Sequence, residues 1–241
     1  MKISRVLIKI SGETLSGSKA ESVFDSDSVL AICKNIKNVI DSGIGVSIVV
    51  GGGNILRGRA FSSETIVQRE AADSMGMLAT AINGLMLKGA FESIGIDSTV
   101  VSNLQLPFSI ESSNTYNIDQ LVNQNKIVIF VGGTGVPYFS TDTAAVINAL
   151  ISKSDMLLKA TKTDGVYNKD PEKYEDACFI PHITYDEALK QNIQIMDQTA
   201  FALAKSQELP ITIFSIKEEN CFLRAIKGEI KHSVVSRFLN N

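Results

Sequence analysis

The chain has 241 residues, 44% of them hydrophobic and 20% charged, with a formal net charge of -3. That composition supplies a substantial core for one α/β domain or two small ones, while the near balance of charge, without a Lys/Arg run, argues against a nucleic-acid groove or an anionic membrane surface and leaves a small anionic ligand open. Three widely spaced cysteines (Cys33, Cys178, Cys221) with no CxxC pair argue against a disulfide framework or a zinc site.

Val6 to Ile10 is the first strand-like run, and Val29, Ile32, Ile36, Val39 and Ile40 then form a helical stripe that stops at Gly43. Val46 to Val50 is the second strand. Met75 to Ile94 continues apolar at helical spacing as far as Gly95, so that Met75, Met77, Leu78 and Leu85 read as core and Asp73 stands at the start of their helix. Thr99 to Val101 and Ile127 to Val131 follow as strands, then a helix from Ala144 to Ile151 and a strand from Met156 to Leu158. Thr184 and Glu187 have capping-box spacing, Thr199 to Lys205 precedes Pro210, and Ile211 to Phe214 and Val234-Val235 close the series. The strands are β-branched or apolar on both faces, as buried parallel strands must be. Strands alternating with helices predict an α/β fold, a three-layer sandwich around a mostly parallel sheet, with ligands beyond the carboxyl ends of the strands. A single domain over residues 1–241, with two lobes and a cleft, is expected. No apolar run reaches the ~18 to 20 residues of a spanning helix, and Lys9 interrupts the one N-terminal candidate for a signal sequence, so a cytoplasmic protein is expected.

The informative residues fall at the strand ends. Lys9-Ile10-Ser11-Gly12 and Gly51-Gly52-Gly53-Asn54 each follow a buried strand, where glycine lets backbone N–H groups approach an anion closely. Lys9 and Lys159 stand at the ends of their strands, so two cations can be held over one polyphosphate. Taken alone, Lys9 is a strand-end lysine reaching for water and the glycine run a flexible turn; beside Ser11, Gly12, Arg57 and Lys159 both read as phosphate-binding. Asp142 either caps the helix that begins near Thr143 or serves catalysis, or does both. Tyr167 and Asp170-Pro171 fit an ordinary turn as well as a nucleotide contact. No P-loop sequence, HExxH or GxSxG occurs, the dinucleotide fingerprint fails at Leu56, and His182 and His232 are the only histidines. Phosphoryl transfer remains, since it asks mainly for positioning and charge stabilisation.

Six segments carry a resemblance that runs essentially end to end: Lys9-Ile10-Ser11-Gly12-Glu13; Gly51-Gly52-Gly53-Asn54 with Arg57-Gly58; Asp73-Ser74-Met75-Gly76-Met77-Leu78-Ala79-Thr80; Gly133-Thr134-Gly135; Phe139-Ser140-Thr141-Asp142; and Lys159-Ala160-Thr161-Lys162 with Asp164-Gly165-Val166. Through them the chain resembles the bacterial uridylate kinases of the amino-acid kinase family. The Met-Gly-Met-Leu-Ala-Thr string separates these from the carbamate, glutamate and aspartate kinases of the same fold. The resemblance implies conversion of UMP to UDP in pyrimidine biosynthesis, with Lys9, Lys159 and Asp142 catalytic. It implies an ATP site of Lys9, Ile10, Ser11, Gly12, Gly53, Arg57, Thr161, Tyr167 and Asp170. For UMP it implies Gly52, Asp73, Thr134, Gly135, Val136, Pro137, Tyr138, Phe139, Ser140 and Thr141. Mg²⁺ would arrive as MgATP with no protein metal site, and the partners would be ATP, UMP and further copies in a homohexamer, without nucleic acid or membrane. Two departures stand out. The segment after Glu13 is short and holds one glycine, and Thr99 and Lys126 stand where GTP-activated relatives use arginines, so weak or absent GTP activation is expected.

Overall fold

The computed structural model describes residues 3–17, 22–56, 66–107, 110–112, 115–124 and 126–238. Its central sheet has nine strands: β1 (Arg5–Ile10), β2 (Gly45–Val50), β3 (Ser98–Ser102), β4 (Ile110–Ser112), β5 (Ile127–Val131), β6 (Met156–Thr161), β9 (His182–Thr184), β10 (Ile211–Ser215) and β11 (His232–Ser236). Their spatial order is β4-β3-β5-β2-β1-β6-β10-β11-β9. Every pairing is parallel except β10 with β11, where His232 lies opposite Phe214 and Val235 opposite Ile211. β7 (Val166–Tyr167) and β8 (Phe179–Ile180) form a separate antiparallel hairpin.

Alternation along β1 sorts its side chains between two cores. Val6, Ile8 and Ile10 face the layer of α1 (Ser26–Asp41), α2 (Arg69–Ser93) and α7 (Cys221–Lys227). Leu7 faces the opposite layer of α3 (Thr115–Asn123), α4 (Thr141–Ile151), α5 (Tyr185–Lys190) and α6 (Gln198–Ser206). The result is the expected three-layer α/β sandwich. Because β1 and β6 run in parallel with Leu7 opposite Leu157, Lys9 falls opposite Lys159. Both lysines are two residues beyond a leucine of the α4 face, so both point toward that layer.

Of the caps, the Thr184–Glu187 box is the one the sequence predicts. Asp25 caps α1 by accepting the Ser28 N–H at 3.0 Å, and Thr184 and Glu187 form a reciprocal capping box on α5. Two readings change. α2 begins at Arg69, not at Met75, because the turn over residues 69–73 is helical while carrying Arg69, Glu70 and Asp73 and only the small Ala72 on the buried face, and Asp73 therefore lies inside the helix. Within it Met75, Leu78 and Leu85 are 40%, 49% and 36% exposed, so they are not core; the buried face is carried instead by Ala72, Ala79, Thr80, Asn83, Leu87 and Phe91. Cys33 and Cys221 are buried free thiols, Cys178 is an exposed one, and no helix among the described residues is long and apolar enough to cross a membrane.

Candidate active site

The first turn of α4 sits over the ends of β1 and β6. Its carboxylate, Asp142, meets the Lys9 ammonium at 2.9 Å through Oδ1 and the Lys159 ammonium at 2.6 Å through Oδ2. The helix cap is supplied by Ser140, whose hydroxyl accepts the N–H of Asp142 at 3.0 Å and of Thr143 at 3.4 Å. That frees Asp142 from capping, and its side chain bridges the lysines instead. Burial works against the Asp142 carboxylate's charge, but the Lys159 and Lys9 ammonium groups outweigh it and hold the pKa at about 2. Lys159, 6% exposed, is pushed down to about 8 by burial, with Asp142 opposing and Lys9 adding to the shift. A rigid pair of cations around one carboxylate is thus fixed by sheet register and one helix terminus.

Beside this triad the two glycine loops pack against each other. A Cβ at Gly12 would stand 2.4 Å from Asn54 Oδ1 and 2.7 Å from the Gly53 nitrogen, and one at Gly52 would stand 2.8 Å from both Ala79 Cβ and the Gly76 carbonyl. No larger residue fits at either place without moving backbone, which is the demand an anion cradle makes. Asn83, fully buried in α2, fixes the second loop: its amide donates to the Gly51 carbonyl at 2.6 Å and to Asn54 Oδ1 at 2.7 Å, and Asn54 donates back at 3.1 Å. The sequence reading missed Asn83, although a lone amide in an otherwise apolar and small-residue helix face was a usable signal.

A cleft of about 270 Å³ opens next to the glycine loops. Of the residues expected on the acceptor side, Gly52, Asp73, Val136, Tyr138, Phe139, Ser140 and Thr141 line it, together with Gly53. Thr134, Gly135 and Pro137 belong to the same loop without lining the cleft; the Thr134 hydroxyl is engaged with the backbone of Val136. This loop is tied down from below, where the Gly132 N–H donates to the buried Thr80 hydroxyl at 2.7 Å. Asp73 accepts the Tyr138 N–H at 2.8 Å and the Arg69 Nε–H at 2.8 Å. Asp197, another residue the sequence reading did not single out, caps α6 through the Ala200 N–H and accepts the hydroxyls of Ser140 and Thr143. It anchors the turn that carries Asp142. Its position immediately before a helical stretch marked it as a cap, though not as a support for α4.

Of the residues expected around ATP, Lys9, Ser11, Gly12 and Gly53 gather at this junction, whereas the Ile10 side chain is fully buried in the core and offers only its backbone. Arg57 lies outside the described residues. Thr161 ends β6, and its hydroxyl donates to the Thr163 carbonyl at 2.6 Å. Tyr167 and Asp170 line a second cavity of about 440 Å³ with Thr163, Asn192 and Ile193. The Tyr167 ring meets Phe179 edge-on at 5.5 Å, and its hydroxyl donates to Asp164 at 2.6 Å. The predicted residues therefore divide between one cleft, the lysine pair bridged by Asp142, and one separate cavity. Among the described residues no group of three or more His, Cys, Asp or Glu is placed to hold a metal ion.

Most of the chain matches known proteins, both in sequence and in fold. The model of the "Amino acid kinase family" matches residues 4–215. A uridylate kinase of Sulfurovum sp. is 42% identical over 226 residues, covering 94% of this chain and 96% of that protein, and one of Campylobacter jejuni is 41% identical over 238 residues, covering 98% of each. The crystal structure of UMP kinase from Ureaplasma parvum superposes with a TM-score of 0.91 at 36% identity, covering 98% of this chain and all of that one. That of UMP kinase from Bacillus anthracis gives a TM-score of 0.93 at 34% identity, covering 99% and 98%.

Proposed function

We infer the reaction from one premise: the chain belongs to the amino acid kinase family. It is a kinase that transfers the γ-phosphoryl group of ATP to UMP and releases ADP and UDP. The near full-length similarity to uridylate kinases supports the substrate pair. The observation that carries the chemistry is the Asp142 bridge between Lys9 and Lys159, beside a glycine cradle and a cleft.

A phosphate oxygen of UMP forms the new bond to the γ-phosphorus as the bond to the β,γ-bridging oxygen breaks, and the electron pair leaves with ADP. A phosphate monoester has its second pKa near 6, so at neutral pH the attacking oxygen is already anionic and no general base is needed. Lys9 and Lys159 face the charge that spreads over the equatorial oxygens of the transferring group, and Asp142 keeps both ammonium groups oriented before the substrates arrive. The backbone N–H groups of Ser11, Gly12 and Gly53 receive the ATP phosphates, with Arg57 close to the phosphates being exchanged. Thr161, Tyr167 and Asp170 take the nucleoside. Gly52, Asp73 and residues 134–141 hold UMP. Mg²⁺ would come bound to ATP and neutralise charge on its phosphates, while the Asp142 carboxylate is taken up by the two lysines. In this reading β2, β3 and β5 with α2 form an acceptor-side lobe and β6, β10 and the β7–β8 hairpin a nucleotide-side lobe of one domain. The protein works in the cytoplasm in pyrimidine nucleotide synthesis as a homohexamer.

A coupled ADP-release assay with MgATP and UMP, CMP, carbamate, aspartate or glutamate tests the assignment. UMP is expected to turn over and CMP to be strongly disfavoured; equal rates for UMP and CMP, or turnover of carbamate or an amino acid alone, would overturn it.

A further inference from the structure

Asp73 uses one of its two oxygens for the protein. Oδ2 accepts both the Arg69 Nε–H and the Tyr138 backbone N–H, each at 2.8 Å. An Arg and an Asp four apart on a helix are commonly an inconsequential surface pair. Three features set this one apart. Arg69, Asp73 and Tyr138 all line the acceptor cleft, and Asp73 is the more buried partner, 14% exposed against 35%. The second donor comes from a loop 65 residues away in sequence. That loop also reaches its position at a conformational cost, because Tyr138 has φ +74°, a left-handed backbone that side chains other than glycine rarely adopt. Its strain is held by the same helix turn: the guanidinium carbon of Arg69 lies 5.7 Å from the Tyr138 ring centroid, and the Tyr138 hydroxyl donates to Glu70 at 2.8 Å.

We propose that Arg69, together with the Tyr138 N–H it shares an oxygen with, is a positioning residue that locks Asp73 so that Oδ1 is the atom presented to the acceptor's ribose hydroxyls. This rests on the reading of Asp73 as a UMP ligand. Two donors on Oδ2 fix the rotation of the carboxylate about its Cβ–Cγ bond, and a fixed acceptor distinguishes a hydroxyl from a hydrogen more sharply than a rotating one. Arg69 thereby governs sugar selectivity without touching the transferring phosphate.

The test compares kcat/KM for UMP and dUMP in the wild type and in Arg69→Met, Arg69→Gln and Asp73→Ala, with KM for ATP and the thermal midpoint measured on each. Loss of one orienting hydrogen bond in Arg69→Met is expected to raise KM for UMP about five- to tenfold and to bring the UMP/dUMP ratio toward one, with KM for ATP unchanged. Arg69→Gln, which keeps an N–H donor in reach, is expected to lie between Met and the wild type. If Arg69→Met weakens UMP and dUMP by the same factor, or alters ATP as much as UMP, while Asp73→Ala does collapse the ratio, Arg69 is a helix-surface residue and the proposal fails. An unchanged ratio in Asp73→Ala removes the ribose reading itself, which is a separate failure.

Discussion

Replacing Lys159 by Met isolates the charge at the centre of the proposed mechanism. Methionine keeps most of the stem's volume, so the buried channel between β6 and α4 stays filled and only the ammonium is lost. Asp142 then retains Lys9 at 2.9 Å, so the carboxylate is not stranded. Breaking a buried pair typically costs about 3 to 5 kcal/mol when it leaves an uncompensated charge; here a second cation remains and the desolvation that pushes Lys159 down to about 8 is relieved, so the stability cost should fall well below that range. Catalysis has no such substitute. Losing one preorganised stabiliser of developing charge costs about 2.7 to 4 kcal/mol, or about 10² to 10³ in kcat. Steady-state kcat at saturating MgATP and UMP, read beside a calorimetric thermal midpoint, separates the two effects. Turnover within about threefold of wild type in a folded Lys159→Met protein would show that the lysine is structural and would refute the argument from the bridge.

Because burial pushes the Lys159 ammonium down to about 8, kcat/KM for ATP should fall progressively as pH rises through that range and the ammonium is lost; a profile flat to pH 10 would contradict this. Bound phosphates favour the charged form, so the break in kcat itself should lie at higher pH. GTP should stimulate weakly or not at all: Thr99 is a half-buried strand residue with no charge, and the Lys126 ammonium lies 3.0 Å from the Asp97 carboxylate. Stimulation of several-fold that Lys126→Ala abolishes would reverse that expectation. Asn83→Ala strips the Gly51 carbonyl and Asn54 of their buried donor, so thermal unfolding should show a loss of about 1 to 3 kcal/mol and KM for ATP should rise. An unchanged midpoint would mean that water or a shifted side chain replaces the amide.

What could be read from the sequence divides along a physical line. β1, β2, β3, β5, β6 and β10 were legible because a strand buried on both faces is mostly apolar, α1 because its stripe stops at Gly43, α5 through its capping box and α6 through its run ahead of Pro210. β4, β7, β8 and β9 escaped notice because they are two or three residues long and carry no periodicity. The first turn of α2 escaped because Arg69, Glu70 and Asp73 turn to the cleft and to Tyr138, and only Ala72 of that stretch is buried. The same helix misled about Met75, Leu78 and Leu85, since helical spacing alone tells that a stripe exists and not which neighbour covers it. Lys9, Ser11 and Gly12 could be proposed because strand-end cations and glycines show in one dimension, whereas Gly52 and Asp73 were named through the resemblance. Asn83 and Asp197 support those residues from elsewhere in the chain, and only the folded arrangement shows what they hold.

The register of β1 on β6 explains why the carboxylate of Asp142 is needed before any substrate arrives. Placing Lys9 opposite Lys159 on parallel strands brings two ammonium groups close together, and unit charges about 5 Å apart repel by roughly 3 kcal/mol at an effective dielectric constant of about 20. Left to themselves, such lysines would splay toward water, and Lys159, with 6% exposure, has little water to reach. One carboxylate set between them turns repulsion into two contacts, at 2.9 and 2.6 Å, and keeps both tips converging on the strand ends. The carboxylate can do this only because Ser140 takes over the capping of α4 and Asp197 anchors Ser140 and Thr143 in turn. Under the proposed reaction, ATP phosphates at these strand ends would offer the lysines further negative charge without their having to move, so that reorganisation would already have been met in folding.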